Sequence, residues 1–164
     1  RLLITRKLSG NFPNYEMVIP KDNDKTATFD LEAMKAAIRR VSLMADERTR
    51  SVKLTIRPNE IEIGAQSSEE GEANESVLAE YDGEEVQLGF NSQYLQEFLN
   101  VVSAKETEAA TTEQETDGEK VKVKESQGRQ RIAFEFKNGN AQTQMNIAGD
   151  TAYNYKYIVM PLRI

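Results

Sequence analysis

The chain has 164 residues, a hydrophobic content of 38%, a charged content of 29% and a formal net charge of −6. These values indicate a globular domain with room for a fragment of another, and no apolar run reaches the ~20 residues of a membrane-spanning helix. Because the sequence holds no Cys and no His, it excludes disulfides, thiolate catalysis, cysteine zinc sites and histidine general bases. The acidic charge argues against wrapping of nucleic acid by the whole surface, although it leaves room for one basic face.

Alternation of apolar and polar residues predicts β-strands along most of the chain. Residues 52–56 and 61–65 flank the turn RPNE and predict a hairpin. Residues 77–81 are followed by the turn residues Asp82-Gly83, and the alternation continues over residues 86–90. Later strands are predicted on both sides of the turn KNGN and in the final segment YKYIVMPLRI. The pattern as a whole indicates an antiparallel meander.

Two segments follow the helical period instead. In DLEAMKAAIRRVSLMA the apolar residues fall on one stripe, and Asp30 stands where an N-cap is expected. In NSQYLQEFLNVV the apolar residues again fall on one stripe, and Asn91 or Ser92 stands before it as the expected N-cap. Both segments are predicted to be helices of about three turns.

The two helical segments lie in equivalent places of an internal repeat. Phe29-Asp30 aligns with Phe90-Asn91, and the apolar stripe aligns in the same register, with Met34, Ile38 and Val41 opposite Leu95, Leu99 and Val102. Each copy reads strand, helix and three strands. The prediction is an α+β fold with an internally duplicated β-α-β-β-β unit, in which two helices pack on antiparallel sheets.

Two polar segments interrupt the pattern. Residues 104–130 are rich in Glu, Thr and Gln and predict a long acidic loop, with room for a short strand at residues 121–123. The run SSEEGEANES is predicted to be a second acidic loop. Carboxylates on one short loop are more often solvated than bound to a metal ion, so the prediction for metals and cofactors is none.

The repeat, the segment GNFPNYEMVIP, the phrase LGFNSQYL and the ending YIVMPLRI together resemble the carboxyl-terminal part of the bacterial DNA polymerase III beta subunit, the sliding clamp. The resemblance implies the DNA clamp fold and a head-to-tail ring of two protomers, each with three similar domains. Residues 22–164 would form the third domain, and residues 1–21 the last strand of the second domain and a linker. The first domain and most of the second would then be absent, which indicates a truncated chain. Only the 104–130 loop departs from the family pattern.

The function implied by this resemblance is that of a processivity factor. It would encircle double-stranded DNA without sequence preference, tether the polymerase, perform no bond chemistry, and reside in the bacterial cytoplasm at the nucleoid with no membrane partner. A carboxylate-dependent Mg²⁺ enzyme is the first alternative, and it is disfavoured because the acids cluster in loops and turns. A peptide-binding module that never closes a ring is the second, and two further domains upstream would exclude it.

The polar faces of the two helices are the candidate DNA contacts. From the residues alone, a solvated charged face is the ordinary interpretation. The resemblance instead implies that these side chains line the hole and meet phosphates. The candidates are Lys35, Arg39 and Arg40 on the first helix, with Gln93 and Gln96 on the second.

The resemblance also implies a peptide groove and a dimer interface. The groove would take short peptides of the polymerase, the clamp loader and repair proteins, and Met suits it because a flexible side chain accepts several partners. Its residues would be Pro13, Met17, Val18, Asn91, Tyr94, Asn140, Gln142, Ile158, Val159, Met160, Pro161, Leu162 and Arg163. The dimer interface would hold Leu43, Met44, Glu69, Glu70 and Glu72.

Overall fold

The computed structural model describes residues 10, 13–67, 71–109, 113–116, 119–122, 130–149 and 155–163. The first unit consists of β1 (Lys25–Asp30), α1 (Leu31–Val41), β2 (Ser51–Arg57), β3 (Glu60–Ser67) and β4 (Gly71–Glu80). The second consists of β5 (Val86–Asn91), α2 (Ser92–Ala109), β8 (Arg131–Phe136), β9 (Thr143–Ile147) and β10 (Lys156–Val159), with β6 (Glu113–Thr116) and β7 (Glu119–Lys122) inserted after α2. Short 3₁₀ helices cover Tyr15–Met17 and Ser42–Met44. The predicted α+β fold with a duplicated β-α-β-β-β unit is confirmed.

Eight strands form one antiparallel sheet in the order β10-β9-β8-β1-β4-β3-β2-β5. The two units join edge to edge, because β1 pairs with β4 of its own unit and with β8 of the second unit, while β5 pairs with β2 of the first. The meander prediction is therefore wrong at residues 81–86, where the chain crosses from β4 to β5 without pairing them. Sequence alternation could not show this, since it marks strands and not their partners.

The two edge strands of the sheet meet through a single bridge. Leu162 forms an antiparallel bridge to Gly89 of β5, and its N–H donates a 2.7 Å hydrogen bond to the Gly89 carbonyl. In the repeat, this pair corresponds to the pairing of Thr28 on β1 with Glu80 on β4. We call it the closing bridge. The carboxyl-terminal segment thus remains attached to the sheet beyond β10.

A curled sheet explains how strands far apart in the order share one core. The rings of Phe90 on β5 and Phe134 on β8 lie edge to face with their centroids 5.9 Å apart. Five steps along a flat sheet, at ~4.8 Å each, would separate those strands by over 20 Å. Both rings are fully buried. The sheet therefore wraps around the core.

The helices cover this core as their apolar stripes predicted. Met34 and Ile38 of α1 and Leu95 and Leu99 of α2 are each at most 2% exposed. The N-cap predictions also hold. The Asp30 carboxylate accepts a hydrogen bond from the Ala33 N–H, and the Asn91 side chain accepts one from the Gln93 N–H. These bonds satisfy backbone donors that the first helical turn leaves unpaired.

The acidic segments contain more regular structure than the sequence predicted. Helix α2 continues to Ala109 instead of ending after about three turns, because Ala, Lys and Glu in AKETEA favour the helix. The hairpin of β6 and β7 replaces part of the predicted 104–130 loop, and β7 overlaps the predicted short strand. In SSEEGEANES, β4 already begins at Gly71, so Glu72 and Glu75 lie on a strand. Residues 1–9, 11 and 12, which carry the predicted second-domain strand, lie outside the described residues.

Candidate functional site

The first candidate surface is the outward side of the antiparallel pair α1 and α2, which we call the helix face. It carries all five predicted DNA contacts, namely Lys35, Arg39, Arg40, Gln93 and Gln96, none of which is buried. The chain folds this way locally because the apolar stripe of each helix points into the core and leaves the polar side outward. The predicted cations and amides therefore share one surface.

Two equivalent hydrogen bonds join the helices across this surface. The Lys35 ammonium donates to the Ser103 hydroxyl at 3.0 Å, and the Gln96 amide donates to the Ser42 hydroxyl at 3.1 Å. Lys35 aligns with Gln96 and Ser42 with Ser103 in the internal repeat, so the bonds are related by its pseudo-symmetry. They anchor both predicted contact residues at the helix–helix boundary.

The three cations of α1 differ in their surroundings. Arg40 forms two hydrogen bonds with the Glu75 carboxylate of β4, Nε to Oε1 at 2.5 Å and Nη2 to Oε2 at 2.7 Å. Through these bonds Arg40 holds the pKa of the Glu75 carboxyl below its ordinary value. Lys35 lies 3.9 Å from Glu32. Arg39 is exposed, and no ion pair to it is found among the described residues, so it differs from Arg40 in having no carboxylate partner there.

The second candidate surface lies at the other end of the sheet, around the predicted groove. Met17, Asn140 and Gln142 line a cavity of ≈610 Å³ formed between the segment that precedes β1 and the turn between β8 and β9. The same cavity is bordered by Glu16, residues 19–23, Lys137, Asn138 and Ala141. The structure thus brings Met17 next to Asn140 and Gln142, which lie far from it in sequence.

A second group of groove residues follows β5. Asn91 ends this strand, Tyr94 lies in the first turn of α2 with 51% exposure, and Leu162 is held at Gly89 by the closing bridge. The turn between β8 and β9 also reaches β5, since a Cβ atom on Gly139 would lie 3.4 Å from the Gln87 carbonyl oxygen. The turn that borders the cavity and the tail therefore both reach the edge strand β5.

The predicted groove residues vary in their exposure. Pro13, Met17, Val18, Met160, Leu162 and Arg163 are exposed, and Ile158 and Pro161 are half-buried. Val159 needs a correction, because its side chain is only 6% exposed and belongs to the core, while its carbonyl accepts a hydrogen bond from the Thr143 hydroxyl. Alternation along β10 sends this side chain inward.

The predicted dimer residues are described only in part. Leu43 is 72% exposed on the 3₁₀ helix after α1, and Met44 beside it is half-buried. Glu72 is exposed on β4 and accepts a hydrogen bond from the Asn74 side chain. Glu69 and Glu70 lie outside the described residues. Leu43 is thus an exposed apolar side chain next to a charged strand.

Among the described residues, no group of three or more acidic side chains is arranged to hold a metal ion. No helix in the described ranges is long and apolar enough to cross a membrane.

Comparison with known proteins gives the family. A family model described as the DNA polymerase III beta subunit, C-terminal domain, matches residues 16–114. The chain belongs to the DNA polymerase III beta subunit family. This confirms the resemblance inferred from the repeat and the three sequence motifs.

Individual sliding clamps agree with the family match. A beta sliding clamp of Caulobacter vibrioides is 37% identical over 106 residues, which are 65% of this chain and 28% of the relative. One of Pseudomonas putida is 28% identical over 160 residues, 98% of this chain and 36% of the relative. The crystal structure of the DNA polymerase sliding clamp from Pseudomonas aeruginosa matches with a TM-score of 0.75 and 25% identity, covering 96% of this chain and 36% of that one. The chain thus spans about a third of the length of these sliding clamps.

The sequence patterns do not identify three residues that bond to side chains of the helix face, namely Ser42, Glu75 and Ser103. The patterns place Glu75 in an acidic loop and give no role to the two serines. The serines carried a usable signal, since they align with each other in the repeat. Glu75 carried none, because 35 positions separate it from Arg40 and no local pattern joins them.

Proposed function

We propose that this chain is the carboxyl-terminal part of a DNA sliding clamp, a non-catalytic tether that encircles duplex DNA in the cytoplasm. The observation that carries the proposal is the helix face, where Lys35, Arg39 and Arg40 of α1 lie beside the uncharged amides Gln93 and Gln96 of α2 on a curled sheet. Cations meet phosphates with little sequence preference, and amides add weak polar contacts. Such a surface holds DNA while allowing it to move.

The test is replacement of Lys35, Arg39 and Arg40 together by Ala in a full-length clamp that carries this chain. We expect weaker retention on circular DNA and a plot of log K against log salt that is about 1 to 3 units less steep, at roughly 0.9 per lost phosphate contact. Equilibrium titrations at several salt concentrations measure this slope.

The matched control removes the same charge from the strands, by Lys53→Ala, Arg57→Ala and Arg131→Ala. These residues lie on β2 and β8, away from the helix face. An equal loss of slope in the two triple variants would contradict the proposed role of the helices, because it would reflect total charge alone.

We further propose that the ≈610 Å³ cavity and the tail at β5 form a groove for peptides of the polymerase, the clamp loader and repair proteins. The support is geometric, since Met17, Asn140 and Gln142 line one cavity, and the turn that borders it reaches β5, where Leu162 is bonded. Exposed Met and Tyr side chains suit adaptable apolar recognition.

A head-to-tail dimer of the full-length clamp is the last part of the proposal. Leu43→Lys is expected to weaken dimerisation, because it places a charge in an apolar contact. Leu78→Lys is the control, since Leu78 is also a highly exposed leucine, at 84%, but lies on β4. Analytical ultracentrifugation at nanomolar concentration measures both, and an unchanged dimer with Leu43→Lys would exclude Leu43 from the interface.

A further inference from the structure

Building on the proposed function, we propose that Glu75 is an internal counter-ion that limits the attraction of α1 for DNA by binding Arg40. It would compete with DNA phosphate for the same guanidinium group. The clamp would thus hold duplex DNA with fewer strong contacts than the three cations of α1 suggest.

The geometry of the pair supports this role. Arg40 presents two parallel N–H donors to the two oxygens of Glu75, at 2.5 and 2.7 Å. A phosphate would bind the same planar group in the same two-point manner. The Arg40 side chain is still 60% exposed. A phosphate can therefore approach Arg40, but it must displace the carboxylate to take both donors.

The position of Glu75 follows from the strand that carries it. Along β4, Val77 and Ala79 are buried against the core, and Glu75 is the next residue on the same side. Alternation therefore directs Glu75 towards α1, while Glu72 and Glu80 face the other way. The carboxylate is held in place by the sheet, and Arg40 is in the last turn of α1.

The other two cations of α1 provide the comparison. Arg39 is exposed and has no ion pair within the described ranges, whereas Lys35 is bonded to Ser103 and lies near Glu32. Attraction to DNA rises with each phosphate that a cation neutralises, because condensed counter-ions are then released. Arg40 already has a carboxylate partner, so a phosphate that replaces it adds little net release.

The second helix has no counterpart of Arg40 at the equivalent position. The repeat places Val101 of α2 opposite Arg40 of α1, and Val101 is an exposed apolar residue at 43%. At this position α2 therefore has no cation for a carboxylate to bind. The balance between Arg40 and Glu75 belongs to the α1 half of the helix face.

The test is Glu75→Gln in the full-length clamp, with titration of a short linear duplex at several salt concentrations. We expect tighter binding at low salt and a log K against log salt plot about 0.9 units steeper than wild type, equal to one added phosphate contact. Glu75→Gln with Arg40→Gln should lose this gain. Arg40→Lys, which keeps the charge but lacks the two-point geometry, should also steepen the plot.

Glu80→Gln is the matched control. It removes the same charge from the same strand and releases Arg131, which Glu80 binds at 2.6 Å, but Glu80 faces away from α1. We expect it to leave the slope unchanged. Circular dichroism melting verifies that each variant folds.

The outcomes separate this inference from the proposed function. If Glu75→Gln and Arg40→Lys both match wild type while the triple alanine variant of α1 loses slope, the clamp assignment stands and the counter-ion role is overturned. An equal gain from Glu80→Gln would also overturn it, because the effect would then come from net charge. If wild type shows no salt-dependent binding to duplex DNA, the proposed function itself fails.

Discussion

Replacing Phe98 by Ala is expected to lower the free energy of unfolding by about 3 to 5 kcal/mol, the range for loss of a fully buried aromatic side chain. Phe98 is 0% exposed and lies against the rings of Tyr155 and Tyr157, with centroid distances of 5.7 and 5.3 Å. It therefore joins α2 to the segment that carries β10. The loss includes both the buried area and the ring contacts.

Denaturant unfolding of the chain measures the effect of Phe98→Ala. Val101→Ala on the same helix is the control, and because Val101 is 43% exposed, a change of only about 0.5 kcal/mol is expected. Faster amide hydrogen exchange in β10 should accompany Phe98→Ala. A cost below ~1 kcal/mol would show that the aromatic cluster does not anchor β10 to α2.

Truncation of the chain after Met160 is expected to weaken peptide binding by at least about tenfold. The lost contacts include the Leu162 side chain, and burial of a leucine contributes about 1.5 to 3 kcal/mol. The closing bridge predicts an effect of the truncation on the fold as well. Truncation removes the Leu162 N–H that bonds to Gly89, so it should also lower stability by about 1 kcal/mol.

The truncation experiment uses a full-length clamp and a peptide that contains Gln and Leu or Phe. Leu162→Ala is the matched variant, because it keeps the backbone of the closing bridge and removes only the side chain. Loss of affinity in both variants would assign the effect to the side chain, and loss in the truncation alone would assign it to the bridge or its neighbours. Unchanged affinity in both would contradict the proposed groove.

Local sequence patterns were sufficient for most elements and for the repeat. The turn at Pro58 and Asn59 joins β2 and β3 as predicted, with Asn59 at a φ of 64°, a conformation that Asn tolerates. The caps at Asp30 and Asn91 were also predicted, because a helix start depends on side chains within three residues. The family resemblance then supplied the clamp fold, which alternation alone did not define.

Long-range pairing could not be read from such patterns. Arg40 and Glu75 are 35 positions apart, and Lys35 and Ser103 are 68 positions apart. Their meeting depends on how the strands are ordered in the sheet. The candidate groove shows the same limit, since the resemblance named Met17 and Gln142 but only the folded chain brings them to one cavity.

The pairing of each first strand with a strand of the other unit has a consequence for synthesis of the protein on the ribosome. Strand β1 is made before its partner β8, because Ala133, which pairs with Thr28, lies more than one hundred residues later. Until β8 has been translated, one edge of β1 presents unpaired N–H and C=O groups. The Gly89 carbonyl of β5 likewise has no partner until Leu162 has been translated. Chains with such distant pairings fold slowly. Nascent chains stalled before β8 should therefore be more prone to aggregate than those stalled after β10.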